Sequence, residues 1–588
     1  MTHAPDLALP RSPQLVAPLQ GPSDTLAVAG AARPRPFLLT AAGASVRGTE
    51  TRGIEGVESG GRMLLGRVEI RGATCGNVLL APAQARRELL GRGGSLIEIL
   101  LVTSDGFSAQ WTPASGSRPG DVELSLLVPG SAWRTDGPFL VAMEGSVVRL
   151  LHLTPEAEWS VGEARGALAV SARIGSGEGA IRLLAAVGER AQDAEARVAR
   201  LARGGEARAD GELQAYRSRR LTVRTGVQEL DDALAWAAVR LDAALDRDAA
   251  QVHDLAADEP FPFDPDARRG WTALGALAAG APLDAPIALR SEIEAMVLAR
   301  AATWRGRPLP DAIAQPWIEA AMAGVPAPPA REVARRAALL ALADAVEPWQ
   351  GKERAQAMRA RATAAAAPTV RAGTLRLPTL GGGVTGDPIP AVLAAALDLP
   401  GRTRFLAPLD DPPPGLLRAL TAWACLNELD LERGFALFRA HLADGFAHGA
   451  GLWPDGSRIH DPAAAALVPL VFLEGLLGAR GDAHYGRLRL APRLPPHWTK
   501  LGVGGIALRD ATVRLDYEGE GGSHRFRVAQ ESGAVPLMLV FEPILVAAAD
   551  CAVRIDGEPA QVDVLSIAGR TQVKVHLPLD REREISIG

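Results

Sequence analysis

A chain of 588 residues is too long for a single hydrophobic core, and 47% hydrophobic with 22% charged residues makes it globular rather than disordered. Its net charge is −5, and its arginines are scattered among aspartates and glutamates, which leaves no electrostatic footprint for a nucleic-acid partner. The three cysteines, Cys75, Cys425 and Cys551, lie far apart with no CxxC or zinc spacing, which excludes a disulfide framework and a zinc module and points to a reducing, cytoplasmic setting.

Residues 1–36 are rich in proline and alanine, show little periodicity and read as a flexible arm; 1–22 carry neither the basic nor the apolar region of a secretory leader. Residues 37–188 hold short β-branched or leucine runs cut by glycine turns: Leu64–Ile70, Leu96–Val102, Val122–Val128, Phe139–Ala142, Val147–Leu153, Leu168–Ile174 and Ile181–Val187. That spacing predicts an N-terminal β-sandwich. Residues 189–224 open with a charged, helix-favouring stretch, a linker helix. Over 225–480 ten helices are predicted, near 228–249, 267–279, 286–303, 311–323, 330–346, 351–366, 388–398, 415–428, 431–443 and 461–477, separated by Pro, Gly and Asp breaks. The last helix stops at Gly478, a C-terminal glycine. A strand at Leu488-Arg489-Leu490 leads into Pro492-Arg493-Leu494-Pro495-Pro496, which cannot be helical. Period-2 strands then make 481–588 a small C-terminal β domain. Its apolar run Val535–Val553 is broken by Glu542, Pro543 and Asp550, so it reads as two core strands and not a membrane span.

Three stretches carry a resemblance. Residues Thr225-Gly226-Val227-Gln228-Glu229-Leu230-Asp231-Asp232-Ala233-Leu234-Ala235-Trp236 look like the start of the first barrel helix, Phe263–Leu274 like the segment before the second, and 461–498 like the last helix and its exit. With the order sandwich, linker helix, helical domain and β domain, the chain resembles the six-hairpin glycosidases, the (α/α)6-barrel superfamily of glucoamylase-like and glycogen-debranching proteins. The resemblance implies a helical toroid, here with fewer helices than six pairs need. It also implies an inverting glycoside hydrolase acting on an α-linked glucan or oligosaccharide, with no cofactor and no metal.

Inverting hydrolysis needs a protonated carboxylic acid at the leaving oxygen and a second carboxylate to activate water, about 6.5–9.5 Å apart. The acid needs an apolar surround to raise its pKa. In this fold such groups come from the loops joining the barrel helices, so acidic residues beside tryptophans are the candidates. In Phe263-Asp264-Pro265-Asp266-Ala267-Arg268-Arg269-Gly270-Trp271, Asp266 would be catalytic or hold sugar hydroxyls, with Asp264, Arg268 and Trp271 binding substrate. The family's Arg-Asp order is broken here, since the arginines follow the aspartate, and Asp-Pro-Asp is also an ordinary helix N-cap. Glu319 is a candidate general acid with Trp317 as a substrate-stacking platform, or a solvated glutamate on an amphipathic helix. In Gly451-Leu452-Trp453-Pro454-Asp455-Gly456-Ser457, Asp455 is a candidate base and Trp453 a cleft wall, where the family commonly places a glutamate; Asp455-Gly456 is also a turn signal.

Other signals point away from further chemistry. Gly381-Gly382-Gly383-Val384-Thr385-Gly386 fits GxGxxG but has no βαβ surround, and reads as a loop over the barrel mouth. His441 and His448 have no carboxylate at ligand spacing. The broken Arg-Asp order, the glutamate-free loop at 451–461 and the short helical region open a second reading. In it the chain is a catalytically degenerate relative that serves as a carbohydrate-binding or scaffold protein.

Overall fold

The computed structural model describes residues 15–16, 26–29 and 36–588, except for 246–260, 281–288, 365–388, 400–411, 448–450, 454–459 and 547–550, positions 218–220, 325, 496 and 568, and short stretches between strands before residue 180. The loop at 381–386 and Asp455 lie outside the described residues, as does His448.

The N-terminal part is two facing antiparallel sheets of ten and eight strands. Alternation along each strand sends Phe37, Leu100, Phe107, Trp111 and Leu124 into the space between them. One polar ladder sits in that interior: Arg87 faces Glu98, and Glu98 faces Trp111, on three neighbouring strands. Arg87 forms a buried ion pair with Glu98, whose other oxygen accepts from Trp111 Nε1 at 2.9 Å, so the charge enters the core fully partnered. Two short stretches inside the expected arm are strands: Leu26–Ala29 pairs with 77–80, and Leu15–Val16 pairs with it in turn.

Helix α1 (Ala191–Arg217) lies on the outer face of the larger sheet. Ala194, Val198 and Leu201 pack on Val148, Leu150, Leu184 and Ala186 in a second small core. Arg200 clamps Asp105 bidentately, at 2.8 Å from Nη2 and 3.1 Å from Nε.

Ten helices follow: α2 (Gln228–Leu245), α3 (Pro265–Ala278), α4 (Glu292–Arg305), α5 (Asp311–Ala323), α6 (Pro329–Gln350), α7 (Lys352–Ala364), α8 (Ile389–Ala396), α9 (Leu416–Asn427), α10 (Leu431–Ala447) and α11 (Pro462–Leu470). Pro469 lacks an N–H, and the last helix continues as a π-helical turn, Val471–Leu476. Packing runs α3–α4–α6–α8–α9–α11 and back to α3, with α2, α5, α7 and α10 outside this ring. Among the described residues no outer helix lies between α3 and α4, nor between α8 and α9.

The ring helices run in parallel. The N-terminal ends of α3, α4, α6 and α11 meet, through Arg268 with Asp461, Ser291 with Asp266, and Arg331 with Asp264. The C-terminal ends of α8 and α9 meet where Asn427 Nδ2 donates to Ala396 O at 2.9 Å. The C-terminal domain, with six strands of its own in each of two sheets, sits on that second end. Its backbone N–H groups serve the terminal carbonyls: Ala483 to Thr303 and Arg509 to Trp304 at 2.8 Å each, and Arg493 to Leu476 at 2.7 Å. Arg493 Nη1 also donates to Asn427 Oδ1 at 2.6 Å and Leu426 O at 3.2 Å. Gly478 ends the last helix at a φ of 56°, and a Cβ there would lie 2.7 Å from Ala491 O. Strand Thr222–Arg224, just before α2, pairs with 502–504 of the same domain. Among the described residues no helix is long and apolar enough to cross a membrane.

The ring closes through close backbone approach. A Cβ on Gly275 of α3 would lie 2.0 Å from the Ala466 carbonyl oxygen of α11, a fixed backbone atom. Gly275→Ala must therefore push α3 from α11, and we expect a loss of about 1–3 kcal/mol in urea unfolding despite alanine's better helix propensity. A neutral or stabilising result would refute this packing.

Candidate functional site

Where the N-terminal ends of α3, α4, α6 and α11 converge, the sequence places an unusual density of charge. Each charge has a local reason. Asp264 caps α3, its Oδ1 accepting from Ala267 N at 2.9 Å, with Pro265 in the first helical position. Ser291 and Glu294 form a capping box on α4: Ser291 Oγ accepts from Glu294 N at 3.2 Å, and Glu294 Oε2 accepts from Ser291 N at 3.0 Å and Arg290 N at 2.7 Å. Asp461 caps α11, accepting from Ala463 N at 2.7 Å. The carboxylates thus satisfy orphan N–H groups and sit at the positive ends of the helix dipoles.

Four arginines interleave with them. Arg268 forms a fully buried ion pair with Asp461 and donates through Nε to Phe263 O at 2.6 Å. Arg269 pairs with Asp266 one turn back, with Glu294 Oε1 at 3.5 Å from its Nε. Arg331 lies between Asp264 (3.5 Å) and Glu292 (3.4 Å), its guanidinium 5.4 Å from the Phe261 ring. Arg335 reaches Glu292 at 3.8 Å and Glu332 at 3.2 Å. Burial raises the pKa of both Glu292 and Glu294 above the ordinary carboxylate range; backbone hydrogen bonds and the arginines oppose it.

The expected site residues fall in different places. Asp264, Asp266 and Arg268 are together in this cluster. Trp271 and Trp453 are completely buried and pack inside the helical layer, so neither ring offers a face to a cleft. Trp453 Nε1 donates to His441 O at 3.0 Å, and His441 Nε2 donates to Ala464 O at 2.9 Å. Burial drives His441 down to about 4, so it is a neutral core residue. Glu319 is exposed on the outer helix α5, where Gln315 Nε2 donates to it at 2.5 Å, and Trp317 is half-buried beside it. The structure does not bring Glu319 to the cluster. Asp455 lies outside the described residues, between Trp453 and Asp461, whose N–H donates to Trp453 O at 2.7 Å.

Sequence reasoning missed Glu292, Glu294, Arg331 and Arg335. Two signals were present. Ser291-Glu292-Ile293-Glu294 is a capping box. Arg331 and Arg335 stand four residues apart in the first turns of α6, where the dipole disfavours cations, so nearby carboxylates had to be holding them.

No protein-family model matches the sequence, and no curated protein matches it. Solved structures do. The architecture of sheets, helix ring and capping strands is shared with a protein assigned as a kojibiose phosphorylase from the human microbiome, at a TM-score of 0.52 over 95% of this chain and 98% of that one, with 8% identity. A bacterial glucoamylase complexed with acarbose superposes at a TM-score of 0.50 over 76% of this chain and 96% of that one, with 12% identity. The chain therefore shares the fold of these two structures.

Removing one member of a buried ion pair strands the other charge. Asp461→Asn keeps a side chain able to cap α11 but removes the negative charge against the buried Arg268, and should cost about 3 kcal/mol or more in urea unfolding. Adding Arg268→Met should recover a large part of that loss. Additive losses would show that the pair is not coupled.

Proposed function

We propose that the chain is a carbohydrate-active protein that takes an α-linked glucan or oligosaccharide at the N-terminal end of its helix ring. The likeness of the fold to a glucoamylase and a phosphorylase supports the substrate class. The convergence of four helix ends, with arginines and carboxylates able to bond sugar hydroxyls, supports the location. In this reading the ring is an (α/α)6-type toroid, with four outer helices among the described residues. It stands between a sandwich at 37–188 with its linker helix at 189–224 and a β domain at 481–588. Three free cysteines support a cytoplasmic site of action.

The observation that favours binding over chemistry is the commitment of the carboxylates. Asp264, Glu294 and Asp461 each hold a helix cap, and arginines neutralise all three together with Asp266. An inverting hydrolase needs one free acid and one free base on opposite sides of a bond. Glu292, with its raised pKa, is the described carboxylate best suited to the acid, and Asp455 is the residue left to act as base. The ion-paired state of Glu292 favours the degenerate form, which binds sugar at this end without cleaving it.

Calorimetry with maltoheptaose and glycogen, run beside a reducing-sugar assay on the same sample, tests this. Binding without sugar release is expected. Release that disappears in Glu292→Gln and in Asp455→Asn would establish a two-carboxylate glycoside hydrolase instead. The absence of binding to either glucan would remove α-glucans as ligands.

A further inference from the structure

The opposite end of the ring holds a cavity that the proposed site does not use. It measures about 430 Å³ and lies between the C-terminal halves of α4 and α6 and the first strands of the C-terminal domain. The helices separate the two ends. Nine residues part Glu294 from Thr303 on α4 and thirteen part Arg331 from Asp344 on α6, roughly 14–20 Å at a helical rise of about 1.5 Å.

The lining carries five arginines and five carboxylates, so its formal charge is zero. Most are already paired with one another: Arg300 with Glu474, Arg359 with Asp344 at 2.7 Å and Glu347 at 2.6 Å, and Arg480 with Asp398. Such a surface offers many fixed donors and acceptors but no net attraction for an anion or a cation. Asp482 accepts from Tyr485 N at a long 3.4 Å and retains acceptor capacity toward the cavity.

One exposed aromatic ring belongs to the lining, and two more stand next to it. Tyr485 lines the cavity and is 51% exposed; Trp349 is 47% exposed. His484 joins them, 5.2 Å from Trp349 and 4.8 Å from Tyr485 by ring centroids. Arg487 packs 5.4 Å from the centre of the Tyr485 ring. Exposed aromatics are costly to leave in water, and here they flank a polar pocket of the size that holds a small ligand. An apolar ring face beside dense, neutral hydrogen-bonding groups matches a molecule with apolar C–H faces and equatorial hydroxyls.

We propose that this cavity is a second sugar-binding site, selective for neutral oligosaccharides and separate from the N-terminal end of the ring. It rests on the carbohydrate reading for the ligand class but not for the location or the state of the first site. Binding here would bridge α4, α6 and the C-terminal domain.

The test is calorimetry on the full chain with maltoheptaose, kojibiose and mannotriose as probes and inorganic phosphate as the charged control. The variants are Tyr485→Ala/Trp349→Ala, both at exposed rings, Asp482→Asn, and Glu292→Gln at the other end. Circular dichroism and urea unfolding check that each is folded. At least one sugar is expected to bind with affinity reduced roughly ten-fold or more in Tyr485→Ala/Trp349→Ala, the size of two lost ring contacts. The same sugar should bind at this site unchanged in Glu292→Gln, and phosphate should not compete. Sugar binding that is lost only in Glu292→Gln would overturn this second site and leave the first reading standing. Phosphate competition would overturn the neutral-ligand assignment, and failure of every sugar to bind the wild type would overturn both sites.

Discussion

Parallel packing of six helices is the constraint from which the rest of this molecule follows. Every helix leaves N–H groups unsatisfied at its start and carbonyls unsatisfied at its end. When neighbours alternate in direction these needs are spread over both ends. Here they accumulate, donors at one end of the ring and acceptors at the other. The carbonyl end is closed by the C-terminal domain, whose backbone N–H groups and Arg493 meet the last turns of α4, α9 and the π-turn after α11. The donor end is closed by carboxylates, and those bring in the arginines that keep them company in a partly dry environment.

This ordering explains why acidic residues at the N-terminal end are ambiguous evidence for catalysis. In a parallel ring a carboxylate is the natural cap, and a hydrolase of this fold must place its acid and base among groups that are there for structural reasons. The distinction lies in commitment. Asp461 uses one oxygen to cap α11 and the other to neutralise Arg268, and both groups are buried. Glu292 is held more loosely, by two arginines at 3.4 and 3.8 Å, and burial makes its proton easier to keep. The cluster is thus framework first: its charges are there to close the helix ends.

The element pattern was legible in the sequence wherever a local rule applied. The glycine-cut strands, the ten helices and the stop at Gly478 follow from periodicity and backbone chemistry, and the helix at 311–323 is the one observed. Asp264-Pro265 and Asp461-Pro462 were readable as helix starts, and both are. The site was less legible because its contacts are long-range. Arg268 meets Asp461 across nearly two hundred residues, and no spacing rule links them. Trp271 and Trp453 were plausible sugar platforms from their neighbours in the chain, but both are buried, Trp453 against His441 and Phe446 of the outer helix α10. Glu319 and Trp317 sit near each other in sequence, yet α5 faces outward from α6, so they never approach the helix ends.

Hydrogen exchange of the full chain with and without saturating maltoheptaose tests the central claim most directly. If the ends of the ring hold the sugar, amides at 261–268, 291–296, 329–335 and 460–466 should gain protection, together with those around 480–487 at the opposite cavity. Protection confined to the N-terminal sandwich, with both ends of the ring unchanged while sugar is bound, would contradict the account.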